Sequence, residues 1–177
     1  MASKSLHYQG NYTFSKTEKV HEISCINFFQ YCNFFYPKYL NIVWGNDKRY
    51  WKLPKYEKDG AELMQVNWLE VTGCIDNINI AKKTSYNIEF TMSLMTDAFG
   101  WSGSPVYLMA KWGDNTQWRK VNLTTDINVN NKMKSKAITI TKGKGNNTDK
   151  IYFGLYEVWN KKWKRGLKIH FVNLTET

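Results

Sequence analysis

A regular alternation of apolar and polar residues between Thr84 and Met95 constrains the fold of this chain more than any other feature of its sequence. The apolar positions in this alternation are Tyr86, Ile88, Phe90, Met92 and Leu94. Successive side chains of a strand point to opposite faces, so a period of two predicts one long strand with an apolar face and a polar face. A helix would need apolar residues every three to four positions, and such spacing is weak throughout the chain.

The same alternation recurs in later segments, which are separated by glycine-rich and asparagine-rich turns. The alternating segments are Val106–Trp112, Ile151–Leu155 and Leu167–Phe171. Shorter strand candidates are Leu40–Trp44, Met64–Ile75, Gln117–Leu123 and Ala137–Thr141. No internal repeat is visible, so the pattern predicts an all-β fold, an antiparallel sandwich or barrel with long loops.

The length of 177 residues fits one domain preceded by an extension. We expect residues 1–39 to form an N-terminal arm and residues 40–177 to form the main domain. The part of the arm from Ile23 to Tyr39 is rich in Phe and Tyr and contains Cys25 and Cys32. It is compatible with an edge strand, with an extension packed on the domain, or with a partner interface cross-linked through these cysteines.

The charge and the cysteine count limit the compartment and the partners. A net charge of +10 favours acidic partners, but scattered lysines also give an ordinary soluble surface. The three cysteines form neither a disulfide framework nor a zinc pattern. No signal peptide and no apolar run of about 18 residues is visible. We therefore expect a reduced, cytosolic protein with no membrane insertion.

Catalytic machinery is missing from the sequence. The three histidines lie far apart, and no phosphate loop, nucleophile elbow or zinc-protease motif occurs. The sequence therefore predicts a binding protein that is not an enzyme and uses neither metal nor cofactor.

The first binding candidate is the segment from Trp44 to Trp51, where two tryptophans flank a polar loop containing Asn46 and Asp47. An aromatic plane accepts the apolar C–H face of a sugar, and the neighbouring polar groups accept or donate to its hydroxyls. The alternative is that both tryptophans belong to the core and fix the loop.

The second candidate is the segment from Gly154 to Gly166, where one strand ends and the last begins. Glu157 continues the apolar face of Ile151–Leu155, so its carboxylate points inward, which is costly unless it is paired or opens onto a site. It then either accepts sugar hydroxyls or forms a salt bridge with a loop Lys or Arg.

The remaining tryptophans divide between loops and strands. Trp101, between two glycines, is either a ligand contact or a cover on the core. Trp68 is interleaved with strand residues, which predicts a core position. Trp112 and Trp118 face each other across a predicted hairpin and are expected to be structural.

Taken in order, these segments resemble the plant phloem lectins of the phloem protein 2 type and the related Nictaba lectins, with the best fit to the cucurbit-type proteins. The resemblance covers about residues 40–174. The matching segments are Asn41–Trp44, Tyr50–Trp51, Ala61–Leu63, Val66–Gly73, Lys83–Tyr86, Ala98–Trp101, Pro105–Leu108, Leu155–Glu157, Trp163–Lys164 and Gly166–Leu167.

The resemblance implies a jelly-roll β-sandwich, often a homodimer, that binds chitooligosaccharides and N-glycans containing N-acetylglucosamine without a metal. It assigns sugar binding to Trp44 and Trp51 and to Glu157. Two positions depart from the Nictaba pattern: Lys150 stands in place of an acid and Trp159 in place of Asn. The resemblance also implies phloem as the location, with RNA and phloem filament proteins as further partners.

These considerations give one predicted site. Trp44 or Trp51 stacks on a sugar ring, and Glu157 accepts its hydroxyl hydrogens. The other expected contacts are Asn46, Tyr50, Trp101, Lys162, Trp163 and Lys164. The rival function is RNA binding, with lysines on phosphates and aromatic rings on bases. A third interpretation is a structural phloem component cross-linked through Cys25 or Cys32.

Overall fold

The computed structural model describes residues 34–56, 59–76, 84–126, 133–135, 137–146 and 148–177. The predicted arm up to residue 33, with Cys25 and Cys32, lies outside the described residues. The described elements are β1 (Phe34–Phe35), a 3₁₀ turn (Pro37–Tyr39), β2 (Asn41–Ile42), β3 (Trp51–Lys52), β4 (Ala61–Leu63), β5 (Leu69–Asp76), β6 (Ser85–Phe99), β7 (Val106–Trp112), β8 (Asn115–Val121), α1 (Leu123–Asp126), β9 (Met133–Lys134), β10 (Ile138–Thr141), β11 (Lys150–Glu157) and β12 (Arg165–Glu176).

These strands form two antiparallel sheets. The seven-stranded sheet has the order β10-β6-β12-β4-β3, with β1 also pairing with β12 and β9 with β6. The five-stranded sheet has the order β2-β5-β11-β7-β8. The prediction of an all-β antiparallel sandwich is confirmed, and the long alternating segment is part of β6.

The core lies between the two sheets, where aromatic side chains from both meet. Phe90 on β6 contacts Phe153 on β11 with ring centroids 6.2 Å apart, and Tyr86 contacts Trp112 at 5.7 Å. Phe90, Phe153 and Trp112 are almost completely buried. Burial of one such side chain contributes about 1.5–3 kcal/mol, so the facing apolar rows hold the sheets together.

Residues 34–39 are integrated into the fold. Phe34 and Phe35 pair with Asn173 and Val172 of β12. The Phe35 side chain is buried and its ring lies 5.7 Å from that of Phe153. Among the possibilities for this part of the chain, strand pairing is therefore the one that Phe34 and Phe35 adopt.

Two tryptophans predicted to be structural are exposed instead. Trp68 lies just before β5, and its indole N–H donates to the Glu70 carboxylate at 2.9 Å, while Leu69 takes the core position. Trp118 pairs with Met109, so it lies on the outer face, opposite to that of buried Trp112. The expectation for these two side chains was wrong because strand register, and not residue type, decides which face is buried.

One cysteine differs from the expectation of a reduced protein. Cys74 on β5 is disulfide-bonded and buried.

Within the described part of the chain, no helix has the length and apolar character needed to cross a bilayer.

Candidate functional site

The loop between β2 and β3 is built from consecutive turns. The Trp44 carbonyl accepts the Asp47 N–H at 3.0 Å, and the Asp47 carbonyl accepts the N–H groups of Tyr50 and Trp51 at 2.9 and 3.0 Å. The Asp47 side chain accepts the Arg49 backbone N–H at 2.9 Å and pairs with the Arg49 guanidinium. These local bonds define the loop backbone, in which only Asn46, Lys48 and Arg49 are exposed to water.

The carboxylate of Asp47 is held in its charged form. The side-chain hydrogen bond from Arg49 is the main cause that lowers the pKa of Asp47 below 3.8, and the same pair raises the pKa of Arg49. The ion pair that shapes the loop is therefore present throughout the neutral range.

Trp44 adopts an unusual backbone conformation at the start of this loop. Its φ of 59° lies in the left-handed region, which bulky side chains rarely enter and which costs on the order of 1–3 kcal/mol. Its half-buried ring packs against Tyr50, with centroids 5.2 Å apart and planes at 39°. Because strained residues cluster at functional sites, this conformation marks the loop as a candidate site.

A cavity of about 390 Å³ lies beside the loop. Its lining residues are Gly45, Asn46, Lys48, Trp51, Lys52, Leu53 and Met64. They combine an apolar surface with an amide and two ammonium groups. The volume is at the small end of the range of about 300–1,000 Å³ that is typical of ligand sites.

Four predicted contact residues are buried in the structure: Trp51, Trp101, Lys164 and Glu157. Trp51 is 2% exposed and belongs to the core, although it contributes to the cavity wall. Trp101 is 3% exposed, and its indole N–H donates to the Arg165 carbonyl at 2.8 Å. Lys164 is fully buried at the start of the last strand. Neither Trp51 nor Trp101 presents a free ring face for stacking.

Glu157 and Lys164 form a buried ion pair between the Oε2 and Nζ atoms. The Lys164 ammonium also donates to the carbonyls of Asn160 and Lys162 at 2.9 and 2.7 Å. The other Glu157 oxygen, Oε1, accepts the Asn160 backbone N–H at 2.9 Å. The predicted inward direction of Glu157 is confirmed, and of its two possible roles the salt bridge to a loop lysine is the one present.

This ion pair holds the loop between β11 and β12. The Asn160 side chain bonds Ser104 at 2.9 Å and accepts the Lys162 N–H at 3.1 Å. On the other side of the loop, a Cβ at Gly100, whose φ is 83°, would collide with the Trp163 carbonyl, so glycine is required there. Trp159 and Trp163 remain 59% and 47% exposed at the surface of this loop.

The structure relates the two predicted clusters through the segment that follows β4. The Met64 N–H donates to the Tyr50 carbonyl at 2.8 Å, and Val66 exchanges two backbone bonds with Lys164 at 2.9 and 2.7 Å. Only the first cluster lines the cavity, because Glu157 and Lys164 point into the interior. Lys162 and Trp163 are exposed on the second loop and are not in the cavity wall.

Five cavity residues were not among the predicted site residues: Gly45, Lys48, Lys52, Leu53 and Met64. The first four lie within or just after the predicted segment, so taking the whole segment and extending it would have found them. Met64 follows the next strand, β4, and no local sequence pattern marks it as a cavity residue.

Among the residues that the structure describes, no group of three His, Cys, Asp or Glu side chains is placed to hold a metal ion.

Comparison with known proteins places the chain in a family. The sequence profile described as Phloem protein 2 matches residues 30–175. The chain belongs to the phloem protein 2 family. The resemblance noted in the sequence is thereby confirmed, and the part matched by the phloem protein 2 profile includes β1 and nearly all of both sheets.

The phloem protein 2 family relatives include two informative proteins. Protein PHLOEM PROTEIN 2-LIKE A9 of Arabidopsis thaliana is 38% identical over 148 residues, which cover 76% of this chain and 81% of that protein. A lectin of Luffa acutangula is 35% identical over 98 residues, which cover 52% of this chain and 46% of that lectin. Among solved structures, the TmCBM61 complex with beta-1,4-galactotriose aligns with a TM-score of 0.40 and 12% identity, covering 79% of this chain and 83% of that one.

Proposed function

We propose that the protein is a lectin that binds N-acetylglucosamine oligomers, and N-glycans containing them, in the cavity beside the Trp44–Trp51 loop. The observation that carries this proposal is the cavity itself, with its apolar and amide-bearing wall next to a tryptophan in a strained conformation. Membership of the phloem protein 2 family and similarity to a protein named as a lectin support it.

The chemistry of N-acetylglucosamine suits this wall. Its acetamide methyl group packs against Leu53 and Met64, and the acetamide itself exchanges hydrogen bonds with an amide such as that of Asn46. Lys48 donates to ring hydroxyls at the open side. The Trp44 and Tyr50 rings provide an aromatic surface for the next sugar.

Glu157 and Lys164 act in this proposal as positioning residues that do not touch the sugar. Both side chains are buried, form an ion pair with each other and hydrogen-bond to the loop that follows. Their role is to fix the 158–163 loop and, through the backbone pairing of Val66 with Lys164, the segment containing Met64. Trp51 and Trp101 support the site from within the core.

Binding by this site requires no catalytic step and no metal. We propose affinities between micromolar and millimolar, or about −8 to −4 kcal/mol, with avidity gained by pairing of two copies. We also propose that the protein acts in phloem, as its family membership suggests.

A competition experiment tests the recognition of the acetamide. The protein is loaded on chitin resin and eluted with chitotriose or with cellotriose, which lacks acetamide groups. We expect elution by chitotriose alone, and retention to be lost in Asn46→Ala but kept in Lys120→Ala, a variant on the other sheet. Equal elution by both sugars would contradict acetamide recognition.

A further inference from the structure

A second aromatic surface lies on the outer face of the five-stranded sheet. It consists of Tyr107 on β7, Trp118 on β8, Tyr156 on β11 and Trp159 in the loop after β11, and we call these four residues the aromatic cluster. Trp159 lies 4.9 Å from Tyr107 and 6.3 Å from Trp118, and Trp118 lies 5.5 Å from Tyr156. Tyr107 and Tyr156 alternate with buried neighbours, and Trp118 pairs with Met109, which lies on the same face of β7 as Tyr107, so all three strand residues face away from the core.

The aromatic cluster is open to water at its centre. Trp118 and Trp159 are 52% and 59% exposed, which is unusual for the largest apolar side chain. Gly154 lies beneath the ring of Tyr156, and a Cβ there would come within 2.5 Å of that ring. The missing side chain therefore lets the Tyr156 ring lie over Gly154.

The charge on the β7 and β8 side of the aromatic cluster is positive. β7 and β8 contain no acidic residue, and Lys111 and Lys120 lie on the same outer face as Tyr107. Among the described residues, neither lysine has a carboxylate within ion-pairing distance. On the other side of the cluster, Glu70 pairs with Tyr156 across the strands, and its carboxylate accepts the Trp68 indole N–H. The β7 and β8 side of the surface is therefore complementary to an anion, and its like charges disfavour pairing with a second copy of itself.

The ring geometry favours a sugar over a nucleic acid base. Trp118 and Trp159 meet at 71° and form a corner. A planar base gains most from a parallel ring, whereas a pyranose chair carries C–H groups on both its face and its edge and can contact both walls of a corner. Lysines beside the corner supply charge-assisted hydrogen bonds to carboxylate or sulfate groups.

We propose that the aromatic cluster is a second saccharide site, which takes an acidic oligosaccharide while the cavity takes a neutral one. This inference rests on the proposed lectin function and extends it to an anionic ligand class. The two sites share no residue, since the cavity is lined by residues between Gly45 and Met64. One molecule would then connect two kinds of glycan.

The test is a calorimetric titration with an oligogalacturonate and, as its uncharged match, the fully methyl-esterified oligomer. We expect saturable binding of the acidic form, weaker binding of the ester, and about tenfold weaker binding of the acidic form by Trp118→Ala and by Lys120→Ala. Asn46→Ala is the matched control and should leave this binding unchanged. Circular dichroism and gel filtration verify that each variant is folded and has the same size as the wild type.

Three results would overturn the inference. They are the absence of oligogalacturonate binding by the wild type, tighter binding of a single-stranded RNA that Trp118→Ala abolishes, and self-association that Trp118→Ala abolishes. Chitotriose binding, measured on the same samples, separates this failure from failure of the lectin proposal. If the wild type binds chitotriose but not oligogalacturonate, the proposal for the cavity stands and only the proposal for the second site fails.

Discussion

The Glu157 carboxylate and the Lys164 ammonium form an ion pair in the interior of the protein, with side-chain exposures of 3% and 0%. The two residues flank the loop that presents Trp159 and Trp163 to solvent. Charges removed from water are tolerated only when they are paired and hydrogen-bonded, and the backbone carbonyls of Asn160 and Lys162 complete this requirement. Buried Glu157, at the end of β11, therefore fixes the exposed loop that follows it.

Breaking this pair should destabilise the fold strongly. Lys164→Met leaves an uncompensated buried carboxylate, and we expect a loss of about 3–5 kcal/mol in the free energy of unfolding, measured by urea denaturation. Lys162→Met, an exposed neighbour, is the matched control and should change stability by less than about 0.5 kcal/mol.

Replacing both members should recover much of that loss. The double variant Glu157→Gln with Lys164→Met removes both charges, so we expect it to be more stable than Lys164→Met alone. Equal stability of the single and double variants would show that the carboxylate is not the source of the penalty.

The tryptophans at the two ends of the cavity loop should respond differently to truncation. Trp51 is buried, so Trp51→Ala should lower the free energy of unfolding by about 3–5 kcal/mol. Trp44→Ala removes only a half-buried ring, and the strain of the left-handed backbone stays because alanine also has a Cβ. We expect a smaller loss of stability in Trp44→Ala, with most sugar binding lost. If Trp44→Ala lowers the free energy of unfolding as much as Trp51→Ala does, Trp44 belongs to the core.

Stability should fall in alkaline solution because of Tyr156. Burial is the main cause that raises the pKa of Tyr156 from 10.0 to about 12. The unfolded chain therefore loses this proton first, so the stabilisation is complete below about pH 10 and is lost as the pH rises through about 12. The contribution reaches at most about 3 kcal/mol. The measurement compares the free energies of unfolding of wild type and Tyr156→Phe from about pH 8 upward. If the two proteins show the same dependence on pH, the pKa of Tyr156 is not raised.

Mild acid should leave the cavity loop intact. The pKa of Asp47 is lowered, so the ion pair with Arg49 is complete above 3.8 and is lost only as the pH falls through the lower folded value. We expect chitotriose affinity to stay constant between about pH 7 and 5, measured by calorimetry. Asp47→Asn should weaken binding at both pH values, since the charged partner of Arg49 is removed. A steep loss of wild-type affinity in this range would show that another group controls the loop.

The strands were predictable because alternation along one segment is a local property. The β6 pattern from Tyr86 to Leu94 and the inward direction of Glu157 both follow from a period of two, and neither needs knowledge of a partner strand. The partner of Glu157 was foreseeable only as some loop lysine or arginine, because which one turns back depends on how the 158–163 loop closes.

Tryptophan positions were the least predictable part of the site. Trp51 and Trp101 are buried, whereas Trp68 and Trp118 are exposed, although all four stand in similar aromatic surroundings in the sequence. Tryptophan satisfies either environment, and register between strands decides which face it joins. Met64 reaches the cavity through a contact between distant segments, which local patterns do not contain.

The most direct test of the lectin account is a calorimetric titration with chitotriose at physiological ionic strength. It compares wild type with Trp44→Ala and Asn46→Ala at the cavity and with Trp118→Ala on the other sheet, all verified as folded by circular dichroism. We predict saturable binding by wild type and Trp118→Ala, and binding reduced by at least about tenfold in the two cavity variants. Absence of heat with folded wild type, or unchanged affinity in both cavity variants, would contradict the account.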